Sequence, residues 1–311
     1  MTQREAPLDL AAALGKARRA AEDHMVECDL YGLPWYEEEV TPLLWRHAAP
    51  FVTTARFTKH EEGKVGADWL WWWIDSDGSC FGTLAQAKRL FRDGARWEIH
   101  FGYRHGDQLD RLLHVADLFD LPAVYVLLLG GADYREGLTC GRLHTDPCKR
   151  CGRASVSVLA GLLVDEILKN SDGVVLDAYR QSVPLEDLAD PSASPELIRD
   201  LNFPTLPEDL KTFLSQRQHG ARHVARMIFK AVSEVRAAQF GHAIAERVDT
   251  GAGALFQATP RDHGHFRASY FPHILRGLRS EVPAYVTDVL EGRQPPSWVT
   301  DHADGMVVMH V

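Results

Sequence analysis

The sequence predicts an α/β protein with a mixed β-sheet flanked by helices. The first indication is the aromatic run W-L-W-W-W-I at 69–74, followed by the turn sequence D-S-D-G and a second apolar stretch, which together predict a β-hairpin. The second is the apolar segment A-V-Y-V-L-L-L at 123–129, which is typical of a strand buried on both faces. Because residues 107–119 between them show helical apolar spacing, strands and helices share one domain.

The remaining elements follow in chain order. Helices are predicted at 8–27 and 36–48, although Thr41-Pro42 also suits a helix start at that point. Strands are predicted at 51–60 and 96–101, a helix at 154–168, and a short strand or helix at 174–179. The stretch 184–207 is rich in proline, and the pattern is helical from 206 onward. We therefore expect an α/β core at 1–183, with a cysteine-rich loop at 140–152, and a mainly helical accessory region at 184–311.

Composition narrows the class of protein. The 311-residue chain is 45% hydrophobic and 25% charged, as in ordinary soluble globular proteins. Its net charge of −9 argues against binding nucleic acid by overall charge alone, but a local basic groove is compatible with it. No apolar run approaches the ~20 residues of a membrane helix, so no membrane partner is expected. Five cysteines and an N-terminus without an apolar signal core predict the reducing environment of the cytoplasm.

The predicted hairpin carries polar residues at one end. Asp68 opens its first strand, and Gln86 and Lys88 end its second strand on a shared face, since side chains alternate along a strand. An Asp with neighbouring polar oxygens can hold a hard cation such as Mg²⁺ or Mn²⁺. A Lys beside that cation can position or deprotonate a water, or stabilise the charge of a phosphate.

The motifs G-A-D at 66–68 and Q-A-K at 86–88 resemble the two motifs of the PD-(D/E)XK nuclease superfamily, which has the restriction-endonuclease-like fold. Gln86 replaces the commoner acid and resembles the Mrr-type branch, and Arg89 continues that likeness. The phrases E-E-G-K-V-G-A-D-W and Q-A-K-R-L are also similar to an uncharacterised bacterial family with this core. The resemblance covers about residues 37–129 and implies a restriction-endonuclease-like mixed sheet.

The resemblance implies a role for each matching residue. Asp68 would be the chief ligand of Mg²⁺ or Mn²⁺, and the carbonyl oxygen of Ala87 would be a second ligand. Gln86 would bind the cation, or orient its water, as a neutral group. Lys88 would hold the attacking water or the scissile phosphate, and Arg89 would contact nucleic acid.

In this superfamily, the helix before the first strand often offers one more acid to the metal. Glu39 is the best match, and a solvated helix start is its alternative. Glu61 and Glu62 are rivals because they lie close to Asp68 in the sequence, and a charged turn is their alternative. Gln108 opens a later helix and matches a Gln-Leu pair found in several branches, but an ordinary polar helix start explains it equally well.

The function that follows from the resemblance is a metal-dependent endonuclease. Likeness to restriction-type enzymes favours DNA as the substrate and defence against foreign DNA as the setting, while the residues do not separate DNA from RNA. The acidic body suggests an activating partner or ligand, and a homo-oligomer is left open. The alternative is a catalytically silent protein that keeps the sheet and binds nucleic acid or a protein partner, because Gln86 replaces an acid.

A second site is predicted in a Gly/Pro-rich stretch further along the chain. Cys148 and Cys151 have the spacing of a zinc knuckle, and Cys140 and His144 can supply the third and fourth ligands. Four such ligands within one short loop would form a closed, structural Zn²⁺ site, with no position open for catalysis. The alternative is three thiols in a loop with no metal, since one knuckle is only half of the double-knuckle signal.

A third candidate surface lies in the C-terminal half. Arg222, Arg226 and Lys230 recur every four residues, so a helix would place them on one stripe. Such a stripe is the best candidate outside the core for contacting nucleic acid. A solvated helix face is the alternative.

Overall fold

The computed structural model describes the chain at residues 9–57, 67–94, 96–101, 107–141, 144–145, 147–193, 208, 212–213, 216–230, 232 and 275–311. The strands are β1 Val52–Arg56, β2 Ala67–Ile74, β3 Cys80–Arg89, β4 Phe91–Asp93, β5 Arg96–Glu98, β6 Ala123–Leu128, β7 Val156–Ala160, β8 Val183–Pro184, β9 Leu278–Arg279 and β10 Ala303–His310. The helices are α1 Leu10–Leu30, α2 Glu37–Ala48, α3 Asp107–Phe119, α4 Lys149–Gly152, α5 Gly161–Asn170, α6 Val174–Gln181, α7 at 220–230, α8 Ala284–Leu290 and α9 Ser297–Thr300.

The main sheet has eight strands and mixed direction, which confirms the predicted fold class. Seven strands lie in the order β1-β10-β2-β3-β6-β7-β8, and β9 pairs with the start of β3. Pairing is parallel between β10 and β2 and between β3 and β6, and antiparallel elsewhere. None of the described helices is long and apolar enough to cross a membrane.

The tryptophan-rich strand β2 lies in the middle of the core. Its side chains alternate between the two faces of the sheet, and each face meets a helix. Trp71 packs edge-on against Trp45 of α2, with ring centroids 5.2 Å apart. Trp72 faces Tyr285 of α8 on the other side, at 6.0 Å. The aromatic run therefore joins both layers of helices to the sheet, and truncating one of these rings to Ala would cost roughly 3–5 kcal/mol.

The hairpin has the predicted register. Trp69 pairs with Ala85 and Ile74 with Cys80, so the next step along the ladder places Asp68 beside Gln86. The parallel strand β6 then covers the other edge of β3, where Gln86 faces Tyr125 and Lys88 faces Leu127. The end of β3 is consequently held between two strands, which fixes the direction of its polar side chains.

The structure differs from the prediction at 154–168. The first part of this range forms strand β7, and α5 begins only at Gly161. The sequence V-S-V-L-A contains two β-branched valines, and all five residues are buried between β6 and β8. Burial on both faces hides the polar-apolar alternation that would have marked a strand in the sequence.

The expected helical accessory region also contributes to the sheet. Strand β10, near the end of the 184–311 range, lies between β1 and β2 and pairs along its length with both. The core therefore includes residues on both sides of the predicted boundary at 183–184. The predicted strand at 96–101 is shorter than expected, and β5 pairs with β4 in a separate two-stranded ribbon.

Candidate functional site

A cleft of about 350 Å³ opens at the end of the sheet where β2 and β10 begin and β3 ends. The start of α2 closes its side. The lining combines four acidic residues with one basic residue and several apolar or small ones: Glu37, Glu38, Thr41, Arg56, Phe57, Asp68, Trp69, Ala87 and Asp304. Such a concentration of carboxylates in one concave site is the feature that sets this region apart.

Asp68 lies at the start of β2 and is the acid that the sequence predicted. Its Oδ2 accepts a hydrogen bond from the backbone N–H of Ala87 at 2.7 Å, which joins the two motifs across the hairpin. Loss of solvent raises the pKa of Asp68 to about 6, and the negative charge of Asp304 adds to the rise, although the Ala87 hydrogen bond and the Lys88 cation oppose it. Ala87 lines the cleft, and the role expected for its carbonyl oxygen remains a prediction.

Glu37, at the first turn of α2, is the second acid of the cleft. Its Oε1 accepts a hydrogen bond from the backbone N–H of Arg89 at 2.8 Å, so the helix start is tied to the end of β3. Burial raises its pKa to about 7, and the charge of Asp68 contributes to this rise while Lys88 opposes it. The two carboxyl groups therefore share one electrostatic environment with Lys88.

Asp304 is the acid that sequence reasoning missed. In the parallel pair of β10 with β2, Ala303 faces Ala67 and Gly305 faces Trp69, so Asp304 lies beside Asp68. The short phrase A-D before an apolar run occurs in both strands and was the available signal. Gly305 has room for no side chain, because a Cβ there would lie 2.5 Å from the Trp69 ring.

Lys88 and Gln86 are buried at the end of β3. The Lys88 side chain is 8% exposed, and its Nζ donates a hydrogen bond to Gln108 Oε1 on α3 at 2.8 Å. Gln86 is 5% exposed, and its Oε1 has no hydrogen-bond partner within the described part of the chain. A buried amide oxygen without a partner among the described residues is costly, so the Gln86 oxygen is a candidate ligand atom beside Asp68.

One predicted acid, Glu39, does not line the described cleft. Glu39 is exposed, and its Oε2 accepts the backbone N–H of Tyr36 at 3.1 Å as part of the helix cap. Glu39 therefore stabilises the start of α2. Glu37 lies one helical turn before Val40 and Thr41, which belong to the packed face of the helix. Glu37 thus takes the position in the cleft that was expected of Glu39. Glu62 lies outside the described residues, as does its neighbour Glu61.

The predicted basic stripe on α7 is only partly available to a ligand. Arg222 is exposed and its Nε donates to Gln218 Oε1 at 3.1 Å. Arg226 is 4% exposed, and its guanidinium donates to the backbone carbonyl of Phe213, so its side chain is buried rather than part of an exposed stripe. Lys230 is half-buried.

The predicted cysteine cluster is brought together as a candidate metal-binding group. The ligand atoms of Cys140, His144, Cys148 and Cys151 all lie within 4.8 Å of one another. The Sγ atoms of Cys140 and Cys148 are 3.6 Å apart, and His144 Nδ1 is 3.5 Å from Cys151 Sγ. A tetrahedral site with ~2.3 Å metal–sulfur bonds has sulfurs ~3.8 Å apart, so the arrangement is compatible with a structural metal.

The cluster is firmly attached to the rest of the core. The backbone N–H of Cys151 points at Cys148 Sγ, and this hydrogen bond is the main reason that the pKa of Cys148 falls to about 6. Arg150 donates to the backbone carbonyl of Ser182 at 2.9 Å, and Arg153 pairs with Asp187 at 2.7 Å. These arginines thus fasten the loop to the segment after α6.

Fold and site together define an α/β protein with a mixed sheet, a carboxylate-lined cleft at the sheet end and a Cys/His cluster able to hold a metal. Within this class, the chain belongs to DUF6615, a family of unknown function that matches residues 11–310. Comparison with curated proteins and with solved structures gave no match.

Proposed function

We propose that this protein is a metal-dependent nuclease that hydrolyses phosphodiester bonds, with DNA as its substrate. The observation that carries the proposal is the meeting of Glu37, Asp68 and Asp304 in one cleft, with Lys88 close enough to influence the first two. These acids come from three separate elements of the fold. Their juxtaposition is unfavourable without a cation, which supports a functional rather than a structural role.

The donor set fits a hard divalent cation such as Mg²⁺ or Mn²⁺. Carboxylate oxygens are the preferred ligands of such ions, and the raised pKa values of Asp68 and Glu37 reflect negative charge that a cation would offset. Asp68, Glu37 and Asp304 would hold it, and Gln86 offers an amide oxygen beside Asp68 that accepts no hydrogen bond from the described residues. A bound divalent cation would supply charge neutralisation for a phosphate and acidify a water.

Lys88 is the group that would act on the substrate directly. Its ammonium is oriented by the hydrogen bond to Gln108 Oε1, so its position does not depend on a bound ligand. From the end of β3 it can donate to a phosphate oxygen and stabilise the negative charge that develops there during hydrolysis. Gln108, the first residue of the Gln-Leu pair at the start of α3, is thus a positioning residue for Lys88.

A catalytically silent binding protein is the second candidate, and Gln86 is the observation that favours it. A neutral amide at this position contributes less charge to cation binding than the usual acid. Such a protein would keep the sheet and the cleft but bind nucleic acid or a protein partner without cutting. Defence against foreign DNA is the setting we propose for either activity, with an activating partner or homo-oligomer as the means of control.

The test is a cleavage assay on plasmid DNA, linear DNA, single-stranded DNA and RNA, with Mg²⁺, Mn²⁺ or no added cation. We expect cation-dependent cutting that falls by ~10³-fold or more in Lys88→Ala and in Asp68→Ala, because each removes charge from the reacting region. Lys169→Ala is the matched control, since Lys169 pairs with Asp165 and is not among the residues that line the cleft. Cutting by Lys88→Ala at the wild-type rate would exclude the proposed site.

We also propose that the cysteine cluster holds Zn²⁺ in a structural role. Three thiols and one imidazole are the ligands that Zn²⁺ prefers in closed sites, and the loop offers no open fourth position. The ion would join the loop to α4 and stabilise the edge of the core near β8.

A further inference from the structure

A two-stranded ribbon leaves the main sheet next to Lys88. Strand β4 follows β3 after one residue, Leu90, and pairs with β5 in a sheet separate from the main one. The base of the ribbon is fixed, because Leu90 is buried and its carbonyl oxygen accepts a hydrogen bond from the Tyr134 hydroxyl at 3.2 Å. The ribbon thus extends the strand that ends at the proposed site.

Arginine–aromatic pairs line this ribbon and its base. The Arg89 guanidinium lies over the Tyr36 ring at 5.0 Å and over the Phe91 ring at 5.8 Å. The Arg92 guanidinium lies over the Trp97 ring at 4.2 Å, and the far end of this stack is Tyr134, whose ring centroid is 4.9 Å from that of Trp97. These contacts place the guanidinium groups next to the rings.

The pairs are accessible, unlike the aromatic residues of the core. Tyr36 is 46% exposed and Arg92 is exposed, while Phe91 and Trp97 are half-buried. The rings at the ribbon and its base are not required to fill the core, because Trp71, Trp72 and Trp73 are buried there. The surface therefore combines flat π-faces with guanidinium groups in a place that solvent and ligands can reach.

Charge alone does not explain this surface. Arg92 and Arg96 on the ribbon are accompanied by two acids, Asp93 and Glu98, and His100 lies 3.2 Å from Glu98. A surface for duplex DNA would rely on an excess of positive charge facing the phosphates. Guanidinium groups beside accessible aromatic rings instead suit unpaired bases, whose faces are free, together with the phosphates between them.

We propose that this ribbon, with Arg89 and Tyr36 at its base, binds single-stranded nucleic acid and leads it into the cleft. Bases stack on the Tyr36 ring and on the guanidinium planes, and the arginine N–H groups contact the phosphates. This inference rests on the proposed nuclease function and deepens it, because it assigns the substrate class of the same site. Arg89 directly follows Lys88 at the end of β3, so the ribbon begins at the strand end beside the cleft.

The test is equilibrium binding by fluorescence anisotropy, with the full chain and no divalent cation so that no cleavage occurs. The probes are a short labelled single-stranded DNA, the matching RNA and the blunt DNA duplex. We compare wild type with the double variant Tyr36→Ser/Arg92→Gln, whose two positions are exposed, and with Arg293→Gln as a control that removes one distant exposed arginine. Melting temperatures establish that the variants are folded.

We expect wild type to prefer single strands over the duplex. The double variant should bind single strands about tenfold more weakly, because it loses one stacking ring and one guanidinium plane, whereas the control binds as wild type. Duplex binding as tight as single-strand binding, or unchanged affinity in the double variant, would overturn the inference. The nuclease proposal is judged separately by Lys88→Ala in the cleavage assay, so failure of either can be told from failure of the other.

Discussion

The two candidate metal-binding regions are built in opposite ways. The cysteine cluster takes its four ligands from one loop at 140–151, so local geometry alone nearly assembles it. The cleft takes its carboxylates from α2, β2 and β10, at positions 37, 68 and 304, and exists only once the sheet has formed. The comparison teaches that a site made by one segment can be found by spacing, whereas a site made by topology cannot.

The two regions also differ in how the fold treats their charge. In the cluster, the Cys151 N–H lowers the pKa of Cys148 to about 6, which favours the thiolate that a metal needs. In the cleft, burial raises the pKa values of Asp68 to about 6 and Glu37 to about 7. The lowered pKa of Cys148 thus favours its thiolate form, whereas the raised pKa values of Asp68 and Glu37 disfavour the ionised carboxylates until a cation binds.

The largest effect is expected from removing the structural metal. Wild type should contain one zinc per chain, and Cys148→Ser should contain none and lose roughly 4 kcal/mol of stability, because the loop is no longer cross-linked. Elemental analysis and urea unfolding measure the two quantities. Cys28→Ser is the control, since that thiol lies outside the cluster. Protein purified without chelator that contains no zinc would contradict the assignment.

The next effect distinguishes two neighbouring glutamates in the cleft region. Glu37→Gln and Asp304→Asn should each lower cation-dependent cleavage by about 100-fold, or about 3 kcal/mol, because each removes a charge from the cleft. Glu39→Gln should cleave as wild type, since its side chain caps the helix and Gln can still accept the Tyr36 N–H. Initial rates at saturating cation measure the difference, and equal losses in Glu37→Gln and Glu39→Gln would contradict this placement.

Much of the first half of the fold could be predicted from the sequence. The hairpin, α3 and β6 carry strong local signals, and α3 has the predicted bounds Asp107–Phe119. Asp68, Gln86 and Lys88 could be placed because they belong to one hairpin, whose register follows from alternation. The four ligands of the cluster were equally accessible, since they depend on spacing within a loop.

The rest depends on long-range pairing that no local pattern reveals. Nothing near Asp304 in the sequence states that β10 inserts between β1 and β2, so this acid and the sheet role of the C-terminal strand were missed. Glu37 and Glu39 are close in sequence, and only the packing of α2 against the sheet decides which one faces the cleft. Arg226 likewise lies in a helical sequence pattern, and nothing in that pattern indicates that its side chain is buried.

The smallest effect concerns stability and pH, and it tests the unfavourable charge in the cleft directly. The folded-state pKa of Asp68 is raised from 3.8 to about 6, so the protonated folded state is favoured at low pH. This contribution is present below the unfolded pKa and is lost as pH rises through the folded pKa. Without added divalent cation, Asp68→Asn should therefore match wild type near pH 4 and exceed it by roughly 2 kcal/mol at pH 8.

Urea unfolding of both proteins at the two pH values measures this difference. Both proteins contain the cysteine cluster, so its contribution to the free energy of unfolding cancels in the comparison. Asp93→Asn, which changes an exposed acid, is the control and should show no such pH-dependent gain. Added Mg²⁺ should stabilise wild type more than Asp68→Asn, since the variant has lost one of the three carboxylates proposed to hold the cation. An Asp68→Asn variant that is less stable than wild type at pH 8 without cation would contradict this prediction. It would mean that the ionised carboxylate and its Ala87 hydrogen bond stabilise the fold. The cleft would then favour its ionised form, as the cysteine cluster does.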